Sequence, residues 1–267
     1  MYSENKVKCL SLVIILCSSL LLATSLFAND MLVGESGHTV FPVSTDKIRL
    51  VSELVKVKID TYNFKGVTSA ARRAFVTGEF IFENTSNAKL KTRLGFPGDI
   101  FRWTDGVTAP SLNDFMSSID GSEKKVHIKK EILNRKKAKY SIDGKTWKEE
   151  ISEDYRYWYT WDVTFSPFQR ITIKNTYWVT LSSDQENWWF EYILTNRANW
   201  KGDIEEALIE VIYSDEKELK NRVIEIKPAG YNVDKNRIYW EFRNFKPIEN
   251  IKITEKWIEK EEWLKNK

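Results

Sequence analysis

Cysteine and histidine are nearly missing from this chain: among 267 residues only Cys9, Cys17, His38 and His127 carry a thiol or an imidazole. That scarcity excludes most nucleophilic, redox and metal chemistry, which is built from thiolates, clustered imidazoles and histidine general bases. No HExxH, no two-histidine-carboxylate spacing and no EF-hand loop occurs, and no GxSxG elbow is present to draw either histidine into a triad. Glycine is sparse, at 11 residues, and neither a GxGxxG nor a P-loop pattern is found, so no nucleotide is expected. An excess of one charge is lacking too. The 41 basic residues face 38 acidic ones, a formal net charge of +3, which is not the footprint of a nucleic-acid binder. No catalytic residue, metal ligand set or cofactor is therefore assigned from the sequence.

What the chain does hold is core-forming material. Hydrophobic residues make up 42% of it, charged residues 30%, and the aromatics are 14 Phe, 11 Tyr and 11 Trp. Such a composition excludes a disordered chain and a disulfide-dense mini-protein. Residues 1–28 read as a signal peptide rather than fold. Lys6 and Lys8 form a basic n-region, Leu10 to Leu22 an apolar run, and Ala23, Ser25 and Ala28 the small residues that cleavage requires. The expected cut follows Ala28, with Ser25 as second choice. Both cysteines lie inside this segment, and Cys17 is preceded by Ile14-Ile15-Leu16 rather than by the small residue a lipid anchor wants. The mature chain is then cysteine-free, exported to the periplasm or beyond, and without a transmembrane segment, since no second apolar run follows.

Periodicity of two dominates the rest. Strands are predicted around 47–59, at Phe80 and Phe82, at Leu90, Leu94 and Phe96, and from Lys124 to Leu133. The alternation is most regular at 155–165 and 171–181, and continues at 187–195, 205–213, 222–227, 237–243 and 250–257. Asp143-Gly144 marks a tight hairpin turn. No long helical pattern intervenes, and only the last dozen residues have the spacing for a short terminal helix. The class is all-β: antiparallel β-sandwiches, Ig-like in general architecture, built as two packed β-subdomains at 29–120 and 151–258. A basic hairpin region at 121–150 separates them, and a charged tail closes the chain at 259–267.

The stretch DYRYWYTWDVTFSPFQRITIKNTYWVTLSS reads as a hairpin turning at Ser166-Pro167-Phe168. Pairing Phe165 with Ile171 and Tyr159 with Tyr177 makes the odd face wholly apolar and sets Trp158 against Trp178 on the even, polar face. Continuing with Leu181 opposite Trp188 places Trp189 diagonal to Trp178. Trp158, Trp178 and Trp189 thus form a candidate binding platform for a sugar ring, a peptide or a partner protein. The competing reading buries all three as inter-domain core. Asp162, Asp184, Glu186 and Glu191 lie near these tryptophans and would suit a carboxylate glycosidase, against the plainer reading of a solvated face. Lys129, Lys130, Lys136 and Lys137, within a run of basic residues from Lys124 to Lys139, would contact an anionic cell-wall polymer or membrane surface, or else guard an edge hairpin.

Four segments together resemble a family of bacterial exported β-rich domains of unknown function: GHTVFPVSTDKIRLVSELVKVKI, EFIFENTSNAKLKTRLGFPGDI, WDVTFSPFQRITIKNTYWV and YILTNRANWKGDIEEALIEV. The last is the most distinctive, with Arg197 standing where the family commonly has glycine. The resemblance spans about residues 37 to 257 of this chain. It implies an exported β-rich fold and transfers no catalytic site; Trp200 would plug a core and Gly202 would permit a tight turn. The functional expectation is a non-catalytic protein that acts by binding or assembly at the cell envelope, its partner a protein or an envelope glycan. A carbohydrate-binding module, or a glycosidase, is the alternative.

Overall fold

A computed structural model of the chain describes residues 31–36, 39–42, 46–63, 70–98, 112–141, 147–184, 186–194 and 200–256. The expected signal peptide, the Asp143-Gly144 turn and the terminal helix lie outside the described residues. The first strands are β1 (Met31–Ser36), β2 (Thr39–Pro42), β3 (Ile48–Asn63), β4 (Ala70–Asn84), β5 (Leu90–Pro97) and β6 (Asn113–Ile119). Next come β7 (Ser122–Lys124), β8 (His127–Ser141), β9 (Trp147–Phe165), β10 (Arg170–Thr180), β11 (Ser182–Ser183) and β12 (Asn187–Tyr192). After β13 (Ile204–Ile212) comes a helix, α1 (Glu216–Arg222), then β14 (Val223–Lys227), β15 (Asn232–Asp234), β16 (Arg237–Phe245) and β17 (Ile251–Lys256).

These strands form three sheets. The largest has eight strands in the order β15-β16-β13-β3-β4-β10-β6-β7; the others are β2-β1-β5-β9-β8 and β11-β12-β17-β14. All pairings are antiparallel except β13 with β3. The chain is an all-β sandwich, as its periodicity predicts. Alternation fixes the layers. In β4, Arg72, Ala74, Val76, Phe80 and Phe82 are buried on one face, while Arg73, Phe75, Glu79 and Glu83 lie on the other. Both smaller sheets pack on that buried face. The five-stranded sheet contributes Phe96, Tyr159, Trp161, Val163 and Phe165, and the four-stranded sheet Phe190, Tyr192, Ile251 and Ile253.

Two expectations need correction. Strands from both sides of the division at 121–150 share sheets: β3 and β4 pair with β13 and β10, and β5 pairs with β9. The segments 29–120 and 151–258 are interleaved rather than stacked. The second correction concerns β9 and β10, which are not a hairpin. β10 pairs with β4, Arg170 with Glu83 through Thr180 with Arg73, whereas β9 pairs with β5 and β8 in the opposite layer. The turn between them is an arch that crosses the sandwich. Asn84, fully buried, donates to the carbonyls of Ser166 (2.8 Å) and Ala88 (2.7 Å), and Phe168 takes φ 54°. An apolar odd face is satisfied equally by two strands side by side or by two strands facing each other, so parity alone does not choose. The fifteen residues of β4 offer β10 a full-length ladder, and that pairing wins.

The helix was not foreseen. Asp215 caps it, accepting from the Glu218 N–H at 2.7 Å; Glu216 and Glu218 sit in its first turn, and Lys220 and Arg222 in its last. Trp200 is buried against Phe82, ring centroids 4.8 Å apart, and Gly202 takes φ 71° at the turn into β13.

Candidate functional site

On the outer face of the eight-stranded sheet β10 presents Thr172, Lys174, Thr176 and Trp178. Trp178 is half-buried, and its cross-strand neighbours are Phe75 on β4 and Asn113 on β6. An irregularity in the β10–β6 ladder between Thr176 and Trp178 bends β6 there. It puts Asp114 at φ 51°, a conformation aspartate tolerates, and its carboxylate accepts from the Trp178 indole N–H at 2.8 Å. The Arg73 guanidinium lies 4.6 Å from the Phe75 ring centroid and 5.8 Å from that of Trp178, with Asp60 at 3.7 Å behind it. Trp178, Phe75, Arg73 and Asp114 are thus held together by cross-strand geometry on a face that also carries threonines, charged side chains and the exposed Met116 opposite Thr176.

The other two tryptophans are elsewhere. Trp158 lies on β9 with 0% exposure, its indole N–H donating to Glu131 at 2.7 Å. Arg156 binds the same carboxylate oxygen and its guanidinium lies 4.7 Å from the Trp158 ring, so Glu131, Arg156 and Trp158 form one buried set. Trp189 is half-buried on β12 in the four-stranded sheet, opposite Thr254 and Ser182 rather than diagonal to Trp178, with Lys252 5.6 Å from its ring. The expected platform of three is therefore one outward aromatic cluster, one buried ion-paired indole and one separate residue. Trp158 is buried where the sequence pattern placed it on an outer face, and the pairing that joined the three depended on the β9–β10 hairpin.

Three of the four carboxylates, Asp162, Asp184 and Glu191, are engaged by local partners. Asp162 is bound by Arg93 at 2.8 Å, and that hydrogen bond holds it below the usual carboxylate range. Asp184 is likewise lowered because it accepts from the backbone N–H groups of Glu186 and Asn187, and Glu191 accepts from Asn250 at 2.9 Å. Lys129, Lys130, Lys136 and Lys137 all lie on β8. Lys130 and Arg135 share Glu153, at 2.9 and 2.7 Å, and Lys130 also lies 3.9 Å from the Tyr155 ring centroid.

A further group escaped the sequence reading. Arg72, 2% exposed, makes a bidentate pair with Glu255, 0% exposed, at 2.9 and 3.1 Å, and also binds Glu218 (2.6 Å) and Thr61 (2.7 Å). Arg222 adds a second cation 3.6 Å from Glu218. Burial pushes the nearby Tyr213 hydroxyl well up, and the negative charge of Glu255 pushes it further. The charges balance, two against two, in a largely buried site with Glu218 at its rim. It joins β4 to β17 and α1 and is a clasp rather than a pocket. Among the described residues no group of three or more metal-ligating side chains converges, and no helix is long and apolar enough to cross a membrane.

Comparison with family models gives no match, and neither does comparison with curated proteins. Among solved structures the chain is similar to a Legionella pneumophila protein described as a "putative nutrient binding protein", at 20% identity over 85% of this chain and 72% of that one, with a TM-score of 0.55. An M1 zinc metallopeptidase from Deinococcus radiodurans overlaps at a TM-score of 0.35 and 7% identity, over 80% of this chain and 44% of that one. The first likeness is one of fold. The second is too low to carry an argument.

Proposed function

We propose that this chain is an exported, non-catalytic β-sandwich protein that acts by binding at the cell envelope, and that its contact surface is the outer face around Trp178. The observation that carries the reading is the indole fixed edge-on by Asp114 beside Phe75 and Arg73. A sugar ring offers C–H groups to an aromatic face and hydroxyls to neighbouring carboxylate, amide and guanidinium groups. Asp114, Asn113, Arg73 and Thr176 supply those polar partners within one patch, so an envelope glycan is the ligand class. Support for binding over catalysis comes from the poverty in histidine and cysteine and from the local engagement of Asp162, Asp184 and Glu191. The fold shared with a protein described as binding a nutrient agrees with it.

The test is a glycan and cell-wall pull-down with wild type, Trp178→Ala and Trp189→Ala. Trp178→Ala is expected to weaken binding about tenfold, the loss of one well-placed aromatic contact. Trp189→Ala is expected to bind as wild type. Equal retention by all three chains would remove the Trp178 surface from consideration.

A further inference from the structure

β9 spans nineteen residues, yet β5 pairs only with Trp158–Phe165 of it. Before Trp158 its bonded neighbour among the described residues is β8, with Tyr155 opposite Ile132 and Ile151 opposite Lys137. Residues 130–141 and 147–157 therefore make a two-stranded ribbon running on from the five-stranded sheet, about 35 Å long at about 3.3 Å per residue. Its root is anchored by Glu131, Arg156 and Trp158.

One face of the ribbon continues the apolar parity of β9 past the end of the core. It carries Ile132 and Ile151, 42% and 57% exposed, beside the half-buried Tyr155 and Tyr157, with Ile128, 57% exposed, on the same face at its root. Glu153, bound by Lys130 and Arg135, lies between Ile151 and Tyr155. Leu133, at the bulge in β8, is exposed as well. An edge ribbon protected only against strand addition would place charge at these positions, not branched aliphatics. The cations surround this stripe. Lys130, Arg135 and Lys137 share its face, while Lys129 and Lys136 point the other way, as the register requires. Over 127–137 and 151–157 six Lys or Arg residues face three Asp or Glu.

We infer that the β8–β9 ribbon docks on an anionic lipid bilayer, its isoleucines at the acyl boundary and its lysines among the headgroup phosphates. A soluble polyanion would meet the lysines but leave the isoleucines in water. A partner lying on one face of the ribbon would meet only the cations of that face. A headgroup layer into which the ribbon dips meets both faces and covers the apolar stripe, and long lysine side chains reach such phosphates readily. This surface is separate from the Trp178 patch, and the inference does not rest on the glycan reading.

The experiment is co-sedimentation of the full chain with vesicles of phosphatidylcholine alone or mixed with phosphatidylglycerol, at low and high salt. Wild type is compared with Ile128→Ser/Ile151→Ser and with Lys136→Glu/Lys137→Glu; all three share residues 1–28, so any contribution of that apolar run is common to them. Both variants are expected to bind the anionic vesicles more weakly, by about fivefold for each lysine removed, with high salt reducing wild-type binding. A second readout places a polarity-sensitive dye at Ile151→Cys in a Cys9→Ser/Cys17→Ser background, with Ser166→Cys as control. A blue shift on anionic vesicles is expected at 151 and none at 166. Three results would overturn the inference: variants that sediment like wild type, no shift at 151, or loss in the lysine variant alone with heparin competing fully. The last would identify an anionic polymer as the partner.

Discussion

The eight-stranded sheet packs two smaller sheets on one face, and the two junctions are chemically opposite. Against the five-stranded sheet the contact is aromatic. Phe115 lies 4.8 Å from Tyr159, 5.9 Å from Trp161 and 5.4 Å from Phe96, and Phe96 lies 5.3 Å from Tyr177. Against the four-stranded sheet the apolar packing of Phe190, Tyr192, Ile251 and Ile253 is crossed by two buried polar links, Arg72 with Glu255 and the Tyr192 hydroxyl donating to Glu53 at 2.9 Å. Ring contacts are many, small and replaceable, so the first junction degrades gradually. Buried charges are stable only as a complete set, because desolvation is recovered through partners. The second junction is therefore conditional: intact it specifies one docking of β17 and α1, and incomplete it opposes that docking.

The largest expected effect breaks that set. Arg72→Met leaves the fully buried Glu255, and Glu218 beside it, without their principal cation, and should cost about 3–5 kcal/mol of stability in urea unfolding. Arg72→Met/Glu255→Leu removes the orphaned carboxylate and should recover a large part of that loss. If the double variant were no more stable than the single one, the clasp would be ordinary packing and the contrast would fail. On the aromatic side Phe115→Leu keeps an apolar side chain and gives up ring contacts. It should cost about 1–2 kcal/mol by the same measurement, with no change between neutral and mildly acidic pH.

The strands behind both junctions were legible in the sequence. The period of two in β3, β9, β10, β12 and β17 marks the buried parity, and Trp178 stands out as an aromatic on the wrong one. What was not legible depends on partners. Phe75 and Arg73 join Trp178 only once β4 is known to lie beside β10, and the side-by-side and face-to-face readings of β9 and β10 present the same apolar pattern. Arg72 shares its parity with Ala74, Val76, Phe80 and Phe82, but an arginine reads as solvated unless its partner is known, and Glu255 is 183 residues away. The helix had its signals in Asp215, Glu218 and Arg222, yet seven residues are too few to establish a period of 3.6.

That short helix offers a gentler way to test the conditional junction. Asp215→Ala removes the cap that orders the first turn of α1, the turn that presents Glu218 to Arg72. A loss of about 1 kcal/mol is expected. Because α1 also holds Arg222, amide exchange should rise in α1 and β14 before it rises in β9. Uniform protection across all three would detach the helix from the clasp.

The smallest effect uses the exposed counterpart of the clasp. On the outer face Glu83 binds Arg49 at 2.8 Å and Arg170 at 3.4 Å, and Arg49 also binds Glu205 at 2.8 Å. Burial pushes the Glu83 carboxyl up, but the hydrogen bonds from Arg49 and Arg170 outweigh it and hold the group below its ordinary value of 4.5. A carboxylate lowered in the folded state stabilises it fully above the unfolded value, and that contribution fades as pH falls through the folded one. Stability should therefore decline between about pH 5 and pH 3, and Glu83→Gln should flatten that limb by less than about 1 kcal/mol, since the pair is partly solvated. High salt should flatten it further by screening the same charges. The buried set fails by deletion and the exposed set by titration. An acid limb that Glu83→Gln leaves unchanged would assign the pH response to other carboxylates and leave the outer face without a role in stability.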